Sequence, residues 1–333
     1  MVCPVIERAF SRECGAIGSK INFHTLQWTV LFLAVQLILG CSDQGSPRPA
    51  AADSSLQDHT ENSFISYLDP KKLFLRSDVA LVVDGREGRV LFEKKMHAQR
   101  PIASLTKLMT AMVILDAELP GEEVITITKV DRDRLRGSGS RLSFGTQLTR
   151  RDLLKIALAG SENRAAAALG RTYPGGAEAI VVAMNDKARG LGMKDTVFRD
   201  AAGLHRGNVS TAADLVTLVE TADHYPLIRE LSTVGMDFVT DRRTGWEIRF
   251  VNTNRLARNR QWNIGLSKTG YIAESGHCLV MRAEIADRPV IIVLLNSWGE
   301  LSKYGDANRI RKWLNHADLK ALETAPATAK TSS

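Results

Sequence analysis

Ser104 and Lys107 stand three residues apart in Pro101-Ile102-Ala103-Ser104-Leu105-Thr106-Lys107-Leu108-Met109-Thr110. Apolar residues follow at Leu105, Leu108, Met109, Met112 and Leu115, the spacing of one buried helix face. Residues three apart on a helix are neighbours, so the hydroxyl and the amine share a face. An amine beside a hydroxyl at a helix N-terminus can activate a nucleophile. The amine takes the proton, and the helix dipole favours the developing negative charge. Alone, this pair carries little weight, because S-x-x-K arises by chance about once in a chain of this length. The competing reading is a helix cap followed by a surface lysine.

Two further motifs decide between these readings. Ser161-Glu162-Asn163 is the only S-x-N in the chain, and Lys268-Thr269-Gly270 the only K-T-G. They follow the serine–lysine pair in that order. Glu162 reads as a solvent-facing or locally packed residue and not as a general base. His277 reads as a core or edge histidine, and Cys278 as a small buried apolar residue and not a nucleophile.

The elements that must hold these residues can be read in order. Ser77 to Val83 and Arg89 to Glu93 form a hairpin around Asp84-Gly85. The Ser104 helix follows and stops at Pro120-Gly121. Glu123 to Thr128 and Gly145 to Thr149 are short extended pieces, with the turn-rich Gly137-Ser138-Gly139-Ser140 between them. Helical patterning begins at Arg151, is interrupted at Gly160–Asn163 and at Pro174-Gly175-Gly176, and resumes over Ala177 to Leu191. Ser210 to Asp214 caps a further helix. After about Leu231 strands return, over Trp246 to Val251, Ile264 to Ile272, His277 to Ile285 and Val290 to Asn296. A terminal helix spans Lys303 to His316. Long βαβ alternation is absent, so the fold class is α+β: an antiparallel sheet flanked by helices, with a mostly helical subdomain over 104–225. Ser161 falls in a loop between helices, and Lys268 on a late strand.

The ordered S-x-x-K, S-x-N and K-T-G resemble the signature of serine penicillin-binding proteins and β-lactamases. The flanks sharpen this. Ser161 to Ala166, Leu191-Gly192-Met193, Asn252 to Leu256 and Gly276 to Met281 resemble the low-molecular-mass D-alanyl-D-alanine peptidases, in particular their DD-endopeptidase branch. The resemblance covers roughly Phe64 to His316. It implies a β-lactamase/penicillin-binding-protein-like fold and an acyl-enzyme mechanism. Ser104 would be the nucleophile and Lys107 its base, kept neutral by burial and by the charge of Lys268. Ser161 would relay a proton to the leaving amine. Asn163 would bind the substrate backbone. Lys268 and Thr269 would attract its carboxylate, and Gly270 would leave room for an extended peptide. The backbone N–H groups of Ser104 and Tyr271 would form the oxyanion hole. The implied partners are peptidoglycan peptides as substrate and β-lactams as acylating inhibitors. No cofactor or metal is required. A D-alanyl-D-alanine carboxypeptidase, a β-lactamase and a non-catalytic peptidoglycan-binding scaffold are the alternatives. No deacylating glutamate motif follows Ser161, and little sequence remains after the last helix for the extra β domain of the carboxypeptidase branch.

The 333 residues are 44% hydrophobic and 24% charged, ordinary globular values that exclude a disordered or fibrous chain. The net charge of +7 raises nucleic acid as a partner, but the basic residues are scattered and no nucleic-acid motif is present, so none is expected. Residues 1–40 read as an export signal: Arg8, Arg12 and Lys20 precede an apolar run from Leu26 to Gly40, too short and interrupted for a good membrane span. Leu37-Ile38-Leu39-Gly40-Cys41 resembles a lipobox with Cys41 as the lipid-bearing residue and a membrane tether. An ordinary cleaved signal and an uncleaved anchor stay open beside it, and the long leader suggests a start downstream of Met1. Residues 41–62 read as a flexible tether, 63–318 as a serine DD-peptidase domain, and 319–333 as a disordered tail. Periplasmic location follows from these expectations.

Overall fold

Near-continuous apolar runs build the central sheet. β1 (Ser77–Asp84) and β2 (Val90–Lys94) form the expected hairpin. Three strands near the C-terminus, β9 (Asn263–Ile272), β10 (Gly276–Ile285) and β11 (Arg288–Ser297), complete an antiparallel sheet in the order β2-β1-β11-β10-β9. The computed structural model describes residues 63–324. The expected export signal, the Cys41 site and the whole tether lie outside them.

Alternation along each strand divides the apolar residues between two cores. Val79, Leu81, Val83, Val280, Val293 and Leu295 face one side. Ala80, Val82, Leu279, Met281, Ile292 and Leu294 face the other. The first side carries six helices: α1 (Thr106–Asp116), α2 (Arg150–Leu158), α3 (Asn163–Arg171), α4 (Gly176–Gly190), α5 (Ala212–Asp223) and α6 (Pro226–Thr233). Thr149 caps α2 by accepting from the Asp152 N–H at 3.0 Å, and Thr211 caps α5 by accepting from Asp214 at 3.1 Å. Three small antiparallel pairs trim this helical region: β3 (Arg100–Pro101) with β6 (Val209–Ser210), β4 (Val124–Thr126) with β5 (Gln147–Thr149), and β7 (Met236–Thr240) with β8 (Glu247–Val251).

The other face is covered by α7 (Ser302–Thr324), through Tyr304, Ala307, Ile310, Leu314, Ala317 and Ala321. This corrects the expected boundary at 318: the helix continues to Thr324, and 319–324 are not a tail. Small alanines at 317 and 321 extend its apolar stripe, where bulky residues would have made the pattern plain. At its start, Asp306 is fully buried. Its carboxylate accepts from the Arg76 N–H at 3.0 Å, the Ser77 N–H at 2.7 Å and the Ser77 hydroxyl at 2.6 Å. The Ser77 and Ser297 hydroxyls lie 2.7 Å apart, so this cluster locks α7 to the ends of β1 and β11. Asp306→Ala leaves two buried donors unsatisfied. Urea denaturation is expected to show a loss of about 2–4 kcal/mol, with Asp306→Asn losing less.

Candidate active site

Ser104 lies in a 3-10 turn, Ala103–Leu105, that leads into α1. Ala103 adopts φ +48°, in the left-handed region that a Cβ disfavours. Packing holds it there. Ala103 is fully buried, and Gly203 (φ +79°) abuts it so closely that a Cβ at 203 would fall 2.1 Å from the Ala103 carbonyl oxygen. The strain presents Ser104, half-buried, at the mouth of the helix.

Lys107 is one turn further on and only 1% exposed, which excludes the surface-lysine reading. Its Nζ is 2.7 Å from Ser104 Oγ, 2.8 Å from Asn163 Oδ1 and 2.6 Å from the Ala202 carbonyl oxygen. The last two groups can only accept. A neutral amine gives its two N–H bonds to them and turns its lone pair toward the Ser104 hydroxyl. Burial pulls the Lys107 pKa down to about 7, against the opposing pull of Asp200, Glu162 and Asp133. Neutral amine is therefore abundant at ordinary pH.

Ser161 occupies the break between α2 and α3, again in the left-handed region at φ +56°. The Lys268 ammonium donates to its Oγ at 2.8 Å and to the Thr269 carbonyl at 3.0 Å. Lys268 is 1% exposed, and its pKa is held well below the usual lysine value by burial and then by the charge of Lys107. The Thr269 hydroxyl donates to Thr253 Oγ1 at 2.7 Å. Glu162 serves as the N-cap of α3, accepting from the Arg164 N–H at 3.3 Å, so it is locally packed as expected.

Asn163 is oriented from behind. Its amide donates to Ser138 Oγ at 2.9 Å, and Ser138 donates to Asp133 Oδ2 at 2.6 Å. Asp133 also accepts from the backbone N–H groups of Leu135, Arg136 and Ser138; against its burial, the Ser138 hydroxyl first and then these donors hold its carboxyl below the usual range. This chain fixes which face of the Asn163 amide meets Lys107. Ser138→Ala removes the neutral hydrogen bond that orients Asn163, worth about 1 kcal/mol, together with the charge-assisted bond to Asp133, and should slow acylation by about fivefold. Stopped-flow acylation rates read this directly.

Gly270 requires a correction. The expectation was room for substrate. The protein itself fills that space: a Cβ at 270 would meet the Ile102 carbonyl oxygen at 2.8 Å and Ser104 N at 3.1 Å. The missing side chain lets β9 lie directly on the Ser104 turn. Tyr271 follows, with its exposed ring stacked on His277 at 4.3 Å. Cys278 is fully buried, and burial pushes its thiol up to about 11, which suits a packing role. Thus Ser104, Lys107, Ser161, Asn163, Lys268, Thr269 and Gly270 converge from three segments far apart in sequence.

Residues 68–299 match the D-alanyl-D-alanine carboxypeptidase family. The chain belongs to this family. A D-alanyl-D-alanine endopeptidase of Pseudomonas aeruginosa is 46% identical over 261 residues, covering 78% of this chain and 83% of that protein. Its Escherichia coli counterpart is 41% identical over 256 residues, covering 77% and 83%. Among solved structures, the Streptomyces DD-transpeptidase superposes with a TM-score of 0.67 at 25% identity, covering 73% of this chain and 98% of that one. A Listeria monocytogenes penicillin-binding protein in its cefotaxime-bound form gives 0.64 at 29% identity, covering 73% and 99%.

This member of the D-alanyl-D-alanine carboxypeptidase family also uses groups that motif reading passes over. Ala202 contributes a backbone carbonyl, which no residue type betrays. Ser138 lies in the turn-rich loop and Asp133 shortly before it, and the sequence alone marks neither as part of a site. Thr253 lies in a matched flank, with no role assigned from sequence.

Proposed function

We propose that this protein is a serine DD-endopeptidase acting on the cross-links of peptidoglycan. The observation that carries the mechanism is the Lys107 amine, buried and 2.7 Å from Ser104 Oγ, with acceptor-only groups on its two other contacts. The 41–46% identity to proteins named D-alanyl-D-alanine endopeptidase supports the substrate reading.

Ser104 Oγ attacks the carbonyl carbon of a D-alanine residue while Lys107 takes its proton. The Ser104 and Tyr271 N–H groups receive the negative charge that develops on the carbonyl oxygen. Ser161 passes a proton to the leaving amine as the C–N bond breaks. Water then adds to the Ser104 ester, and the acid product leaves with Ser104 restored. Asn163 aligns the acyl chain. Lys268 and Thr269 bind the carboxylate on the leaving residue. A β-lactam follows the same first step: its ring C–N bond opens, and the amine stays tethered to the acyl group, so the ester persists.

Carboxypeptidase action on terminal D-Ala-D-Ala is the second reading, supported by the family match and by relatives at 29% identity named as carboxypeptidases. Chromatography of digested muropeptides separates the two. Endopeptidase action consumes cross-linked dimers, whereas a digest that consumes only pentapeptides overturns the first reading. We place this chemistry in the periplasm, with Cys41 as the lipid-bearing residue, on the strength of the leader pattern. Intact-mass measurement of membrane-extracted protein tests this, since an unmodified Cys41 contradicts the tether.

A further inference from the structure

The two ends of the reaction groove differ. Ser161 serves the leaving amine, so whatever follows the scissile bond passes Ser161 and Thr269. The acyl chain runs the other way, past Tyr271, toward the turn where Arg136 donates to the Glu274 carboxylate at 2.9 Å. A cavity of about 390 Å³ lies beside the break that carries Ser161, lined by Gly160 and Glu162 on either side of that residue in sequence, by Thr253, and by Gly139, Leu142 and Arg249. That volume lies within the roughly 300–1000 Å³ of ordinary ligand sites. Thr253 joins it to the reaction centre, since its hydroxyl accepts from Thr269 at 2.7 Å. The Arg141 guanidinium donates to the Arg249 carbonyl at 2.9 Å and closes the rim between the 139–142 loop and β8. The exposed Arg249 side chain has no carboxylate partner among the described residues.

We infer that this cavity is the subsite for the leaving peptide stem, the chain on the amine side of the scissile bond. A single departing D-alanine ends at Lys268 and Thr269 and has no use for it. A cross-linked stem continues past Thr269 and Thr253, and its carboxylates meet Arg249 and Arg141. The inference rests on the endopeptidase reading and adds to it the element that would select a long leaving group.

Two substitutions test it on the full chain. Gly139 takes a side chain without backbone strain, because a Cβ there meets nothing within 4 Å, so Gly139→Trp fills the cavity. Arg249→Glu reverses its charge at an exposed position. Both variants should cleave purified muropeptide dimers at least about tenfold more slowly than the parent, while fluorescent penicillin acylates them within about twofold of the parent rate. Dimer cleavage unchanged in both, or lost in proportion to acylation, overturns the subsite. A parent that is acylated but leaves dimers intact overturns the endopeptidase reading and the subsite together.

Discussion

Lys107→Ala should lower the rate of acylation by roughly 100- to 10,000-fold, the range a positioned general base contributes. Its pH dependence separates a base from a packing residue. The active form is the neutral amine, and burial sets its pKa at about 7. In the parent, kcat/KM therefore climbs as pH rises through about 7 and levels off above it. Below that value Lys107 is protonated, its lone pair is occupied, and Ser104 has no base. The variant should lack this rising limb and react at a low, flatter rate. A Lys107→Ala enzyme that keeps the limb would show that another group takes the proton. Burial is the leading cause of the lowered pKa on both Lys107 and Lys268.

Gly270→Ala should be nearly as damaging, although it adds one methyl group. The Cβ lands 2.8 Å from the Ile102 carbonyl oxygen and 3.1 Å from Ser104 N, and neither is a flexible side chain. β9 must move off the Ser104 turn, which separates the two N–H groups proposed above as the oxyanion hole, those of Ser104 and Tyr271. Loss of one oxyanion donor costs roughly 100- to 1000-fold, and acylation should fall within that range. The same substitution at Gly265, on the same strand, meets nothing closer than Arg282 Nη1 at 3.6 Å. Gly265→Ala should acylate near the parent rate. Equal behaviour of the two variants, read by penicillin-labelling kinetics, would remove the close approach from the mechanism.

Much of this arrangement is legible in residue types and order. Ser104, Lys107, Ser161 and Lys268 can be picked out because their chemistry needs a hydroxyl beside an amine, twice. The sheet is legible because β10 and β11 are apolar on both faces and read as continuous runs. Other parts leave weaker traces. Helix α6 is only eight residues, about two turns, and β7 exposes Met236 and Phe238, so its alternation does not separate a buried from a solvent face. The end of α7 is hidden by alanines at its packed positions. The Ala202 carbonyl and the Gly203–Ala103 contact are backbone features, set by how two distant loops meet. Gly270 illustrates the same limit: the motif marks the position, but only tertiary packing shows that the space is reserved for the Ser104 turn.

The central claim is that Ser104 is the nucleophile. It is tested most directly by acylating the protein with a β-lactam, digesting it, and locating the adduct by mass spectrometry. One adduct should map to the peptide bearing Ser104, and Ser104→Ala should carry none. An adduct on Ser161, or one retained after Ser104→Ala, would contradict the account.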